Sequence, residues 1–140
     1  MTITRPLFLL LFSLISIISF AQNSDTSTEE VFTIVEEQPQ YPGGMDAFHK
    51  AIANNLKYPK QARKQGIEGR VYLQFIVDKS GEVREIKTVK GIGGGCDEEA
   101  ERVIKLTGKW KPGTQSGKPV NVRMVLPIIF QLQDDKKGKK

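Results

Sequence analysis

The 140-residue chain is predicted to form an α+β domain, with helices packed on one face of a small antiparallel sheet. Three observations predict it. Val71, Leu73, Phe75 and Val77 alternate with Tyr72, Gln74 and Ile76, which is the period of a half-buried strand. Val120, Val122, Met124, Leu126, Ile128, Phe130 and Leu132 repeat the same period near the C-terminus. Apolar stripes at helical spacing, Met45–Phe48–Ile52–Leu56 and Ala100–Val103–Ile104, stand either side of the first alternating run. No internal repeat is visible.

In chain order, residues 1–21 read as a signal peptide. Leu7 to Ala21 is apolar apart from serines, follows the single charge of Arg5, and at about 15 residues falls short of the roughly 20 that span a bilayer. Ser19-Phe20-Ala21 offers small residues for cleavage before Gln22, and an uncleaved inner-membrane anchor is the alternative. Residues 22–30 (QNSDTSTEE) read as a disordered leader, 31–132 as the domain and 133–140 as a solvated tail. Export to the periplasm is the resulting expectation.

Within the domain, Val31 to Val35 suits a strand, which the turn residues from Gln38 to Gly44 terminate. A first helix carries the Met45 stripe. Tyr58-Pro59 breaks it, and a short second helix from Lys60 to Gln65 stops at Gly66. The strand from Gly69 to Asp78 turns through Asp78-Lys79-Ser80-Gly81 into a return strand, Glu82 to Lys90. Val83, Ile86 and Val89 fall three apart there, which predicts a bulge rather than a flat ladder. After the glycines at 91–95, Asp97 is the expected N-cap of a helix to about Thr107, with Ala100, Val103, Ile104 and Leu106 buried. A polar loop then leads to the last strand, ending at Leu132. Pro127 interrupts that strand's donors, so an edge position is expected for it.

The residue inventory narrows the chemistry. One cysteine and one histidine assemble neither a disulfide, a hydrolase triad nor a conventional zinc site. Cys96 reads as a small buried side chain and His49 as a solvated one. The glycines from 91 to 95 are no phosphate loop, because Cys96 replaces the third glycine and Asp97, Glu98 and Glu99 would repel the anion. No catalytic residue, metal or cofactor is therefore assigned. Residues 31–132 hold 16 basic against 11 acidic side chains, which outside the cytoplasm favours acidic peptides or anionic envelope polymers over nucleic acid.

Tyr58-Pro59, Gly66-Ile67-Glu68-Gly69-Arg70-Val71, Asp78-Lys79-Ser80-Gly81, Trp110-Lys111-Pro112-Gly113 and Val120-Asn121-Val122 occur in the order in which the TonB C-terminal domain carries them. From Tyr41 to Leu132 the chain resembles that family, and Pro42-Gly43-Gly44-Met45 is similar to a variant common in Bacteroidetes. The resemblance implies a periplasmic energy transducer that grips an extended segment of an outer-membrane TonB-dependent receptor by strand addition, driven by inner-membrane motor proteins. It implies no enzyme, no small-molecule substrate and no nucleic acid. The residues it implies for partner contact are Tyr58, Pro59, Asn121, Arg123, Val125, Pro127, Ile129 and Gln131. Two departures qualify the carry-over. Asn55, Leu56 and Lys57 replace the glutamine-rich residues that precede Tyr-Pro in the family. The leader, fully extended, reaches only about 30–35 Å, which keeps open an adaptor or envelope-polymer-binding module not coupled to the proton motive force. A further expectation is that Val31 to Val35 covers the partner edge at rest.

Overall fold

The computed structural model describes residues 29–133. The expected signal segment, most of the leader and the tail from Asp134 lie outside the described residues. The elements are β1 (Val31–Phe32), α1 (Gly44–Asn55), α2 (Lys60–Gln65), β2 (Gly69–Val77), β3 (Val83–Lys90), α3 (Cys96–Lys105), β4 (Gly113–Gln115) and β5 (Lys118–Phe130). The α+β expectation holds. Among the described residues no helix is long and apolar enough to cross a membrane.

The sheet runs β1-β5-β2-β3, with β4 paired to the start of β5. β2 and β5 are antiparallel in unbroken register from Gly69↔Phe130 to Val77↔Val122. Alternation then sends Val71, Leu73, Phe75 and Val77, with Val122, Ile128 and Phe130, into the core, each no more than 1% exposed. On its other flank β2 pairs with β3, whose register shifts twice, between Tyr72 and Leu73 and between Gln74 and Ile76. Glu85 takes a positive φ of 52° at the second shift. The bulge expected from the three-residue spacing is there.

The two hairpin-side motifs lock onto each other. Trp110 packs edge-on against Tyr41, Phe48 and Phe75 at ring separations of 5.4, 5.4 and 5.7 Å. Its indole N–H donates to Thr107 Oγ1 (3.1 Å) and its backbone N–H to the Gly81 carbonyl (2.8 Å). Gly81, at φ 87°, closes the Asp78 turn, and a Cβ there would lie 2.1 Å from the Trp110 carbonyl oxygen. Glycine is therefore required by both backbone conformation and close approach.

Several local expectations need correction. Met45 is 45% exposed, because α1 starts at Gly44 and its first turn projects past the core that Phe48 and Ile52 enter. Leu106 is 55% exposed, since α3 ends at Lys105 and the chain turns outward there. Gly95, not Asp97, caps α3; the Asp97 carboxylate instead accepts the N–H groups of Ile92 (2.9 Å) and Gly93 (3.3 Å), tying down the glycine link. The loop before the last strand contains β4, which forms a two-residue hairpin with β5 through Ser116 and Gly117, both at positive φ. Consequently β5 begins at Lys118 and ends at Phe130 rather than Leu132. The expected strand from Val31 to Val35 is regular for two residues only, and it pairs parallel to β5, Val31↔Asn121 and Phe32↔Val122.

Cys96 is fully buried, as its surroundings suggested, and burial with the neighbouring Asp97, Glu98 and Glu99 pushes its thiol pKa up. His49 is exposed on α1.

Candidate functional site

β5 is the longest strand and is unequally covered. Lys118 to Val120 are taken by β4, and Asn121 and Val122 by β1. From Arg123 to Phe130, β5 pairs with β2 alone among the described residues. One backbone edge of that stretch therefore has no partner strand.

Pro127 fixes which groups lie on the open edge. The ladder to β2 passes through the Tyr72↔Pro127 pair without a shift, which a proline permits where its nitrogen faces away from the partner strand. By the two-residue period, the N–H groups of Arg123, Val125 and Ile129 then point outward with it, and those of Met124, Leu126 and Ile128 serve β2. The side chains of Val125 and Ile129, 50% and 53% exposed, stand on the sheet face opposite the helices. With Pro127 they make that border apolar.

On the helix face, a groove of about 410 Å³ separates α1 from the open end of β5. Phe48, Ile52, Ala53 and Leu56 form one wall, and Tyr58 with Pro127 to Ile129 the other. Tyr58 is held there rather than free. Its hydroxyl donates to the Ile67 carbonyl, its ring meets Phe130 edge-on at 5.7 Å, and the Arg63 guanidinium lies over it at 5.5 Å. Burial raises its pKa, so the phenol stays a proton donor.

The residues singled out in the sequence separate into four places. Arg123, Val125, Pro127 and Ile129 lie along the open edge, and Tyr58 and Gln131 line the groove with Pro127 and Ile129. Pro59 is elsewhere, N-terminal to α2 and close to Gly95. Asn121 is 5% exposed and already engaged. Its amide donates to Glu29 Oε1 (3.0 Å) and the Glu30 carbonyl (3.2 Å), and its Oδ1 accepts the Lys79 N–H (2.9 Å).

That contact belongs to a cluster the sequence did not reveal. Glu29 also meets Arg84 of β3 at 2.7 Å, and Arg84 lies 3.7 Å from Asp78. The Arg84 hydrogen bond holds the Glu29 carboxyl below the usual carboxylate range, and Glu29 in turn raises the Arg84 pKa. Burial works to raise the Asp78 pKa, but hydrogen bonds from Ser80 and Glu82 and the Arg84 charge outweigh it, leaving it lowered. The pair is partly solvated, 34% and 48% exposed at the side chains although the Arg84 nitrogens that face the carboxylates are buried, so it serves as a light clasp on β1 rather than a lock.

Comparison with known proteins places this architecture. Residues 54–132 match the family model for the Gram-negative bacterial TonB protein C-terminal region. Protein TonB of Helicobacter pylori is 30% identical over 105 residues, covering 71% of this chain and 35% of that protein. Protein TonB of Vibrio cholerae is 33% identical over 79 residues, 55% of this chain and 32% of its own length. The chain thus spans about a third of the length of these relatives. A solution structure of the Helicobacter pylori TonB C-terminal domain, 28% identical, superposes with a TM-score of 0.50 over 65% of this chain and 96% of that one. The chain belongs to the family of Gram-negative bacterial TonB C-terminal domains.

Proposed function

We propose that this domain works in the periplasm by accepting an extended segment of an outer-membrane TonB-dependent receptor as an added strand on β5, in energy-coupled transport. The observation that carries the reading is the edge from Arg123 to Phe130, regular in register and without a partner strand among the described residues, in a domain of this family. Strand addition supplies main-chain hydrogen bonds for affinity and leaves specificity to alternate side chains. Each backbone bond is worth roughly 0.5–1.5 kcal/mol net, while ordering the segment costs about 1–2 kcal/mol per residue. Hydrogen bonds alone barely balance that cost, so contact is weak and reversible unless side chains add to it. Inner-membrane motor proteins would supply the energy through the rest of the transducer.

In this reading Arg123, Val125, Pro127 and Ile129 offer the backbone, Tyr58 and Gln131 flank the far end, and Asn121 becomes accessible once β1 leaves. Titrating the labelled domain with peptides from receptor plug segments tests it. Amide NMR signals from Arg123 to Ile129 are expected to move; silence there at millimolar peptide would remove the reading.

A second reading, an adaptor that binds anionic envelope polymer, is favoured by the excess of 16 basic over 11 acidic residues between 31 and 132. Co-sedimentation with peptidoglycan separates the two. The polymer reading expects pelleting that salt abolishes, whereas strand addition expects none.

A further inference from the structure

α1 flanks the open edge, yet all but its last two residues precede Asn54, where the family match begins. The groove between α1 and β5 is thus walled on one side by a helix that lies mostly outside that match but within the stretch aligned to the Helicobacter pylori protein. Resting on strand addition as proposed above, we infer that this groove selects the incoming segment, accepting a large aliphatic or aromatic side chain where the segment passes Pro127 to Ile129.

Strand geometry forces the first step. Successive side chains of a strand point to opposite faces, so every second side chain of a segment paired with Arg123 to Ile129 must turn to the helix side. From Pro127 onward that side is the groove. Phe48 and Ile52 at its base are 1% and 7% exposed and continuous with the core, with Ala53 and Leu56 beside them. Its volume of about 410 Å³ lies within the range of sites that enclose sizeable ligands.

Chemistry supplies the second step. Polar lining comes from His49, Tyr58, Gln131 and Gln133, and no carboxylate, lysine or arginine lines the groove among the described residues. A charged side chain turned inward would be desolvated without a counter-ion. On the opposite face the requirement is looser. There the segment would meet Val125 and Ile129 beside solvent, with the exposed Arg70 and Arg123 on the same face. The preferred partner therefore has a bulky apolar residue on the helix side where it passes Pro127 to Ile129, with polar or acidic residues tolerated beside it.

Two nine-residue peptides test this on the full chain: one alternates threonine with leucine, the other threonine with serine. Ala53 is exposed on α1, so Ala53→Trp fills the groove from its rim without entering the core, and Ala53→Glu introduces an unpaired charge instead. Unfolding curves establish that both variants are folded. The leucine peptide is expected to bind at least about tenfold more tightly than the serine peptide, both moving the Arg123, Val125 and Ile129 amides. Either Ala53 variant should erase the preference and leave those amide shifts. Equal affinities, or a preference that survives both variants, would overturn the groove's role and leave strand addition standing. No shift at the edge with either peptide would overturn both. A dimer of the peptide-free chain that Ala53→Trp dissolves would also overturn the inference, assigning the groove to a second copy.

Discussion

The sheet has two edges, and they are built to opposite ends. β3 shifts register twice, carries a left-handed Glu85, and presents Arg84, Glu85, Lys87 and Lys90. Bulges and charges of this kind prevent edge-to-edge pairing. The outer edge of β5 has neither from Met124 to Phe130: its register to β2 is unbroken, and it exposes Val125 and Ile129 with Pro127 half-buried between them. Among the described residues only its first part is covered, by β1 at Asn121 and Val122. One edge carries features that oppose strand pairing, while the other, beyond a short guard, carries none among the described residues.

The largest expected effect separates the two sides of β5 itself. Leu126→Pro removes an N–H that serves β2 and a core-facing side chain, and should cost about 3 kcal/mol or more, enough to unfold much of the domain. Val125→Pro removes an outward N–H. It should leave the melting temperature within a few degrees and weaken receptor-peptide binding by about tenfold. Equal loss of stability in the two variants would show that the parity assigned through Pro127 is wrong.

Next in size is the guard. Glu29→Gln loosens the clasp to Arg84, so peptides long enough to reach Asn121 should bind roughly two- to fivefold more tightly, and shorter ones unchanged. Isothermal titration with a length series measures this. No dependence on length would separate β1 from competition for the edge.

Acid should act on the same contact. The Glu29 carboxyl is lowered from its ordinary 4.5 by Arg84, so the charged form stabilises β1 docking. That contribution is complete above pH 4.5 and is lost as pH falls through the lowered value. The protection factor of the Phe32 amide, corrected for the intrinsic pH dependence of exchange, should fall over that window, and Glu29→Gln should remove that fall.

The smallest effect concerns the closed edge. Glu85→Gly relieves a left-handed non-glycine residue and should stabilise the fold by about 0.5–1 kcal/mol. Peptide affinity should not change if the segment adds to β5 as proposed, on the far side of β2 from β3. Denaturant unfolding and the same titration report both.

Much of this was legible in the sequence, for identifiable reasons. The alternation of β2 and β5, the α2 stop at Gly66 and the bulge in β3 are encoded by neighbours within a few residues. So is Pro127, whose missing donor marks a strand with a free side. What escaped is long-range. The Asn121 amide meets Glu29 across 92 positions, and no local pattern relates them. Asn121 therefore read as an edge residue when it is a buried tether. The parallel pairing of β1 is likewise set by where the chain is carried by later contacts, such as Glu37↔Thr114 and Gln40↔Lys111. The groove depends on where α1 comes to rest, whereas its sequence shows only an apolar stripe. β4 was hidden because Gly113 to Gln115 lacks apolar alternation and becomes a strand through its turn to β5.

Residue-resolved hydrogen exchange on β5, with and without a saturating receptor-plug peptide, is the most direct test of the open edge. In the free domain the amides of Val125 and Ile129 should exchange quickly and those of Met124, Leu126 and Ile128 slowly, with the peptide slowing the first pair and leaving the others unchanged. Amides of Val125 and Ile129 that are already protected in the free domain, or that stay fast with peptide bound, would contradict recognition by strand addition at this edge.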